Sequence, residues 1–312
     1  MSAERKFLWL IGGVAALLVI ATLIGRALAA RVDGESGRAV VANLNARIRA
    51  WWVMVAIFAV AFLLGRAATL GLFTIVSFCA LREFLAWVPA HGGDRRARAL
   101  ALWVLVPVQY WLIWIEWYGM FAVFIPVYGF LLLPTLAVLA QEPARFLERS
   151  AAIQWGAMIA IYCISHVPAL LLLEIEGDAG SNALLIFFLL LVVQMSDVLQ
   201  YVAGKLWGRT PVAPAVSPAK TVEGLAGGAA GATAIGAAMW WITPFTPLQA
   251  AGMALIVVAM GFVGGLVLSA VKRSLGAKDW GSMIRGHGGM LDRMDSVSFA
   301  APVFFHLTRY CF

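Results

Sequence analysis

The chain has 312 residues, 62% of them hydrophobic and only 12% charged, with a formal net charge of +7. Soluble domains carry roughly 25% charged and about half apolar residues, so this composition cannot build a water-facing surface and the excess must face lipid. The basic residues sit in short segments between apolar runs and form no continuous stripe, which argues against a nucleic-acid partner and for a positive-inside bias.

Arg5 and Lys6 precede an apolar run from Phe7 to Ile24 that reads as a first transmembrane helix, with Ala27-Leu28-Ala29 offering a signal-peptidase site as the alternative. Apolar windows fall near 7–30, 51–65, 67–90, 100–115, 119–140, 150–173, 182–203, 222–243 and 249–271. They make about nine spans, followed by a shorter mixed segment at 296–312. Strands or loops would leave backbone groups unpaired in hydrocarbon, so the spans must be helices. The expected fold is all-α, a polytopic integral membrane protein. Residues 1–180 supply N-terminal transmembrane helices and 181–312 the region where polar motifs gather, within one membrane domain.

Loop charge sets the orientation. Arg31, Arg38, Arg47 and Arg49 are read as one loop, Arg95, Arg96 and Arg98 as another, and Lys205, Arg209 and Lys220 as a third; Glu174, Glu176 and Asp178 fill one with no base. Alternation puts the basic loops, with 204–221 and 272–295, in the cytoplasm. Cys79, Cys163 and Cys311 show no metal or pairing pattern and are assigned to packing or lipid contact. Gly224, Gly227, Gly228 and Gly231 allow close helix approach, within the chain or in a homodimer.

Ionisable groups near spans are expensive, and here they concentrate in the last third. Asp197 ends the run Gln194-Met195-Ser196-Asp197; Lys205 follows, then Ser217-Pro218-Ala219-Lys220-Thr221-Val222-Glu223-Gly224. Pro218 predicts extended chain and Thr221 a helix cap, whose free N–H groups attract anions. The third stretch runs from Ser269 through Lys272-Arg273 and Lys278-Asp279 to Gly286-His287-Gly288-Gly289-Met290-Leu291-Asp292-Arg293-Met294-Asp295. Asp292 and Asp295, spaced i,i+3, share a face in a helix and suit Mg²⁺, which binds through one or two carboxylates plus substrate phosphates. Lys272, Arg273, Lys278 and Arg293 would neutralise phosphate charge. Ala90-His91-Gly92-Gly93-Asp94 repeats the His-Gly-Gly without the Asp-Arg-x-Asp, and His166 and His306 are expected to be packing or hydrogen-bonded residues.

The pattern Ser-x-x-Lys-Arg, Lys-Asp-x-Gly and His-Gly-Gly-x-x-Asp-Arg-x-Asp, from Ser269 to Asp295, resembles the signature of the phosphatidate cytidylyltransferases. Ser217 to Gly224 resembles a second motif of that family, and Asp197 with Tyr201, Gly204 and Lys205 a third, as in a divergent bacterial branch. The resemblance implies an enzyme of phospholipid biosynthesis in the bacterial inner membrane, moving CMP from CTP to phosphatidic acid to give CDP-diacylglycerol and pyrophosphate. Its cofactor would be Mg²⁺, alone or with a monovalent cation. By carry-over, Asp292 with Asp295, Asp197 or Asp279 would hold metal; Lys220, Lys272, Arg273 and Arg293 would grip phosphate oxygens; Ser217, Thr221 and Glu223 would shape the nucleotide pocket. His287 would orient a phosphate, protonate pyrophosphate, or simply form a turn. In one place the chain departs from the pattern Gly-Asp-Leu-x-Glu-Ser: it reads Gly264-Gly265-Leu266-Val267-Leu268-Ser269, without either acid. That departure keeps open a lapsed, non-catalytic lipid-binding relative, and the generic sequences of the spans keep open transfer to another lipid phosphate.

Overall fold

The computed structural model describes residues 3–32, 34–89, 92–175, 182–283 and 288–312. Its long helices are α1 (Ala3–Arg31), α2 (Glu35–Leu63) and α3 (Arg66–Trp87), then α4 (Gly92–Trp114), α5 (Tyr118–Val138) and α6 (Phe146–Leu172). α7 (Asn182–Trp207), α8 (Val222–Ala238), α9 (Pro247–Ser274) and α10 (Leu291–Cys311) complete the bundle. Among the described residues, 8 helices are long and apolar enough to cross a membrane. α8, with 17 residues, falls just short in length, and α10 opens with Asp292, Arg293 and Asp295. The chain is an all-α integral membrane protein with one short ribbon, β1 (Pro211–Ala213) against β2 (Ser217–Thr221).

Two expectations change. Arg38, Arg47 and Arg49 lie on α2, which starts at Glu35, rather than in a loop. Charge does not stop a helix, and Gly37 in the first turn does not either; from Arg38 to Arg49 there is no proline or glycine to break it. Its early turns pack on α1, where Asn45 Nδ2 donates to Gly25 O at 3.2 Å and Trp52 Nε1 to Thr22 Oγ1 at 3.1 Å. Likewise Arg95, Arg96 and Arg98 form the opening turns of α4.

Helices α4, α5 and α6 each contain a π-helical stretch, at Ala101–Leu105, Phe124–Gly129 and Met158–Cys163. Pro107, Pro126 and Pro168 lie within or shortly after them. A proline lacks an N–H and crowds the preceding turn, and a wider turn absorbs the misfit without breaking the span.

A continuous apolar core runs from Phe7 and Phe73 through Phe121 to Phe188 and Phe305. Polar cross-links stitch it: Ser77 Oγ to Tyr110 Oη at 2.6 Å, and Gln109 Nε2 donating to Ser165 Oγ at 3.2 Å. Arg149 forms a buried ion pair with Asp94 at 3.0 Å, tying α6 to the start of α4. His166 is buried, with Nδ1 2.8 Å from the Tyr162 carbonyl and its ring against Phe121 and Phe305, the packing role expected of it. The cysteines are unpaired, Cys79 and Cys163 half-buried and Cys311 exposed. Glu176, Asp178 and His91 lie outside the described residues.

The glycine stripe of α8 faces α7. A Cβ on Gly228 would fall 2.9 Å from Gln200 N and 3.0 Å from its Cα, and one on Gly227 2.6 Å from Ala203 Cβ. The stripe is therefore spent within the chain, and a dimer built on it would have to displace α7.

Candidate functional site

Between α7 and α8 the chain leaves the helical bundle because Pro211, Pro214 and Pro218 cannot continue a helix. It forms the ribbon instead, pairing Pro211 with Thr221 and Ala213 with Ser217. Val216 N closes the turn on Ala213 O at 3.0 Å. Thr221 then caps α8 as expected, its Oγ1 accepting from Gly224 N at 3.1 Å. Glu223 folds back over the connection, where Oε2 accepts from the backbone N–H of Arg209 at 3.0 Å and of Thr210 at 3.1 Å. Its carboxylate fastens the base of the ribbon and stays out of the cavity wall.

Beside this ribbon lies a cavity of about 330 Å³, within the range of small-molecule sites. Asp197, Gln200 and Tyr201 come from α7, Ser217, Lys220 and Thr221 from β2, and Phe262, Gly265 and Ser269 from α9. Asp292, Arg293, Asp295 and Ser296 close it from the first turns of α10. Three stretches far apart in sequence thus meet in one wall, and the i,i+3 pair Asp292 and Asp295 shares the cavity face of a helix.

The three carboxylates differ in freedom. Asp292 is buried: Oδ1 accepts from Lys272 Nζ at 2.8 Å, and Oδ2 from the backbone N–H of Trp280 and of Gly289, each at 2.9 Å. It thereby neutralises Lys272 and ties Trp280 and Gly289 to the start of α10. Gly288, at φ +84, makes the bend that brings Gly289 N to this carboxylate. Asp197 and Asp295 stand together around Ser296, whose Oγ donates to Asp197 Oδ1 at 3.2 Å and whose N–H donates to Asp295 Oδ1 at 2.8 Å.

Among the described residues, no group of three or more His, Cys, Asp or Glu is arranged to enclose a metal. Mg²⁺ asks for less, because it commonly binds through one or two carboxylates and completes its shell with substrate phosphates and water. Asp197 and Asp295 meet that requirement, whereas Asp292, in the same wall, already accepts three hydrogen bonds.

Lys220 Nζ lies 4.8 Å from the Phe262 ring and 3.5 Å from the Phe262 carbonyl. Burial pushes its pKa down, and Asp197 and Asp295 pull it back up. Among the described residues Arg293 Nε is buried without a hydrogen-bond partner. Ser269 turns its hydroxyl onto Gly265 O at 2.6 Å.

Other sequence candidates lie elsewhere. Lys205 is exposed, 5.9 Å from the Tyr201 ring; Arg273 is exposed and donates to Ala277 O at 3.1 Å. Lys278 and Asp279 are exposed and outside the cavity wall. His287 lies outside the described residues.

Sequence reasoning missed the contacts that support the site from outside the cavity wall. Buried Glu83, on α3, accepts from Leu291 N at 3.0 Å, supplying the anion that the bare N-terminus of α10 needs. A Cβ on Gly289 would lie 2.4 Å from the Glu83 carboxylate, and one on Gly281 2.8 Å away. Trp87 Nε1 donates to Trp280 O at 2.8 Å, and Phe84 packs on the Trp280 ring at 5.2 Å. The available signal was an acid inside the 67–90 window.

The profile of the cytidylyltransferase family matches residues 45–311. The chain is 40% identical over 302 residues to the uncharacterized protein YnbB of Escherichia coli (strain K12), covering 95% of this chain and 96% of that one. It is 33% identical over 215 residues to phosphatidate cytidylyltransferase of Bacillus subtilis (strain 168), covering 67% of this chain and 76% of the relative. With phosphatidate cytidylyltransferase of Mycobacterium leprae (strain TN) it shares 40% identity over 157 residues, 50% of this chain and 48% of the relative. The match thus spans about half the length of the mycobacterial protein.

Proposed function

The chain belongs to the cytidylyltransferase family and is a nucleotidyltransferase, and from that premise we propose that it transfers CMP from CTP to phosphatidic acid in phospholipid biosynthesis. The observation that carries this reading is the cavity itself. It combines a pair of carboxylates, Asp197 and Asp295, with two cationic side chains, Lys220 and Arg293, beside a capped helix N-terminus.

A phosphomonoester has a second pKa of about 6, so phosphatidic acid reaches the site as a dianion and requires no strong base. One of its oxygens bonds to the α-phosphorus of CTP as the bond from that phosphorus to the α,β-bridging oxygen breaks. Pyrophosphate leaves with that electron pair. The protein's task is to align two anions and offset their charge. Lys220 and Arg293 contact phosphate oxygens, and the N–H groups at the start of α8 add positive partial charge. A Mg²⁺ ion held by Asp197 and Asp295 would supply charge neutralisation on the transferring group. Asp292 keeps the loop and Lys272 in place while closing the wall. The site end of the bundle faces the cytoplasm of the inner membrane in this reading, supported by the basic residues gathered there.

Purified protein is incubated with labelled CTP, Mg²⁺ and phosphatidic acid, beside a second phosphorylated lipid with polyprenyl tails. Labelled CDP-diacylglycerol is expected, with release of pyrophosphate. Asp295→Asn should lower the rate by about 10²–10³, the scale on which lost transition-state electrostatics are felt. Label in the polyprenyl lipid alone would move the acceptor. CTP binding with no transfer to either would favour a lapsed enzyme.

A further inference from the structure

Asp292 cannot readily serve a second cation. Three of its roughly four lone-pair positions are occupied, one by Lys272 at 2.8 Å and two by backbone N–H groups at 2.9 Å. Asp197 and Asp295 remain, and both adjoin Ser296. On the facing helix, Gly265 offers no side chain. A Cβ there would lie 2.5 Å from Lys220 Nζ, so the ammonium occupies the room a side chain at 265 would need. Among the described residues Lys220 forms no ion pair within 4.0 Å. Its Nζ lies 3.5 Å from the Phe262 carbonyl and 4.8 Å from the Phe262 ring, within the field of Asp197 and Asp295. Besides Arg293, the cavity that holds these two carboxylates thus already contains the Lys220 ammonium, covalently tethered and, among the described residues, in no ion pair within 4.0 Å. An ammonium has three donors and no lone pair, so it can contact phosphate oxygens and cannot act as a metal ligand.

We propose that the Lys220 ammonium, seated against Gly265, takes the place of a second divalent cation, so that the loaded site holds one divalent cation on Asp197 and Asp295. The assignment rests on the nucleotidyl-transfer reading and adds to it the number of cations and the identity of the fixed charge. A second dication would have to share the same two carboxylates with the first and sit against a like charge, which disfavours it.

The test counts bound metal on the full chain in nanodiscs, using Mn²⁺ as a paramagnetic probe and a CTP analogue with a methylene in place of the α,β-bridging oxygen. Binding of the analogue is measured separately by calorimetry. The parent protein should take one Mn²⁺ per chain at saturating analogue. Lys220→Met should weaken the analogue at least tenfold and leave the Mn²⁺ count at one. Lys220→Met combined with Gly265→Asp, which replaces the ammonium by a carboxylate, should raise the count to two. Two Mn²⁺ in the parent with the analogue bound would overturn the inference and leave nucleotidyl transfer standing. Neither analogue nor Mn²⁺ bound would overturn both. A double variant that melts like the parent, binds the analogue and still takes one Mn²⁺ would overturn the role given to Lys220.

Discussion

The Asp292 carboxylate has three hydrogen-bond partners drawn from two different segments, Lys272 on α9 and the N–H groups of Trp280 and Gly289 in the loop. Removing one member of a buried ion pair costs about 3–5 kcal/mol, because the other charge is left without compensation. Asp292→Asn should therefore destabilise the protein by about that amount, although its shape is kept. Lys272→Met should cost less, since Asp292 retains its two amide donors. Combining the two removes both charges and should recover part of the loss, a coupling visible in a double-mutant cycle of thermal or denaturant unfolding in detergent. Strictly additive losses would show that the pair contributes nothing as a unit. The spacing of Asp292 and Asp295 was legible in the sequence, and so was their common face. Their different duties were not, because they depend on which neighbours reach each oxygen. Glu223 makes the same point: it belongs to a recognisable motif, yet its oxygens are taken by Arg209 and Thr210.

Among elements, the α7 and α8 pair carries the site most directly, since Asp197, Gln200 and Tyr201 project from one and the ribbon feeds the other. At Gly228 the contact is backbone to backbone: an added Cβ would fall 2.9 Å from Gln200 N, which cannot rotate aside. Gly228→Ala should push the helices apart and cost about 1–3 kcal/mol, as overpacking generally does. Gly252→Ala on α9, where nothing lies within 4 Å of the added atom, is the matched control and should be neutral or slightly stabilising. The comparison is read by melting and by nucleotide binding; equal behaviour of the two variants would contradict the close packing. Small-residue spacing in the sequence announced this contact, though it left open whether the partner was another helix of the same chain. The early turns of α2 were hidden because arginines were read as loop, and the π-helical turns because periodicity blurs around proline. The support given by α3 to Trp280 and the start of α10 was invisible for another reason. Glu83 and Leu291 are 208 positions apart, and no local pattern joins them.

For the whole molecule, the contacts themselves fix which helix ends lie together. Trp87, at the end of α3, touches Trp280, after α9, and Gly93, at the start of α4, donates to Glu142, before α6, at 3.3 Å. The ribbon and the start of α10 share the cavity and hence the same end. Arg95, Arg96, Lys205, Arg209, Arg273 and Lys278 are exposed near these ends, so the basic end and the site end of the bundle coincide. The sequence already contained this arrangement, because alternating apolar runs force alternate crossings and loop charge picks the side. Positive loops stay on the cytoplasmic side, the orientation that the proposed reaction requires for access to CTP. In a background with Cys79, Cys163 and Cys311 replaced by alanine, Ala215→Cys marks the ribbon turn and Leu248→Cys the opposite end, where Leu248 is 83% exposed. A membrane-impermeant maleimide added to intact spheroplasts should label the cysteine at 248 and leave that at 215 untouched until the membrane is opened. The reverse pattern would place the cavity on the outer side of the membrane, away from CTP, and the proposed reaction would then have no nucleotide to act on.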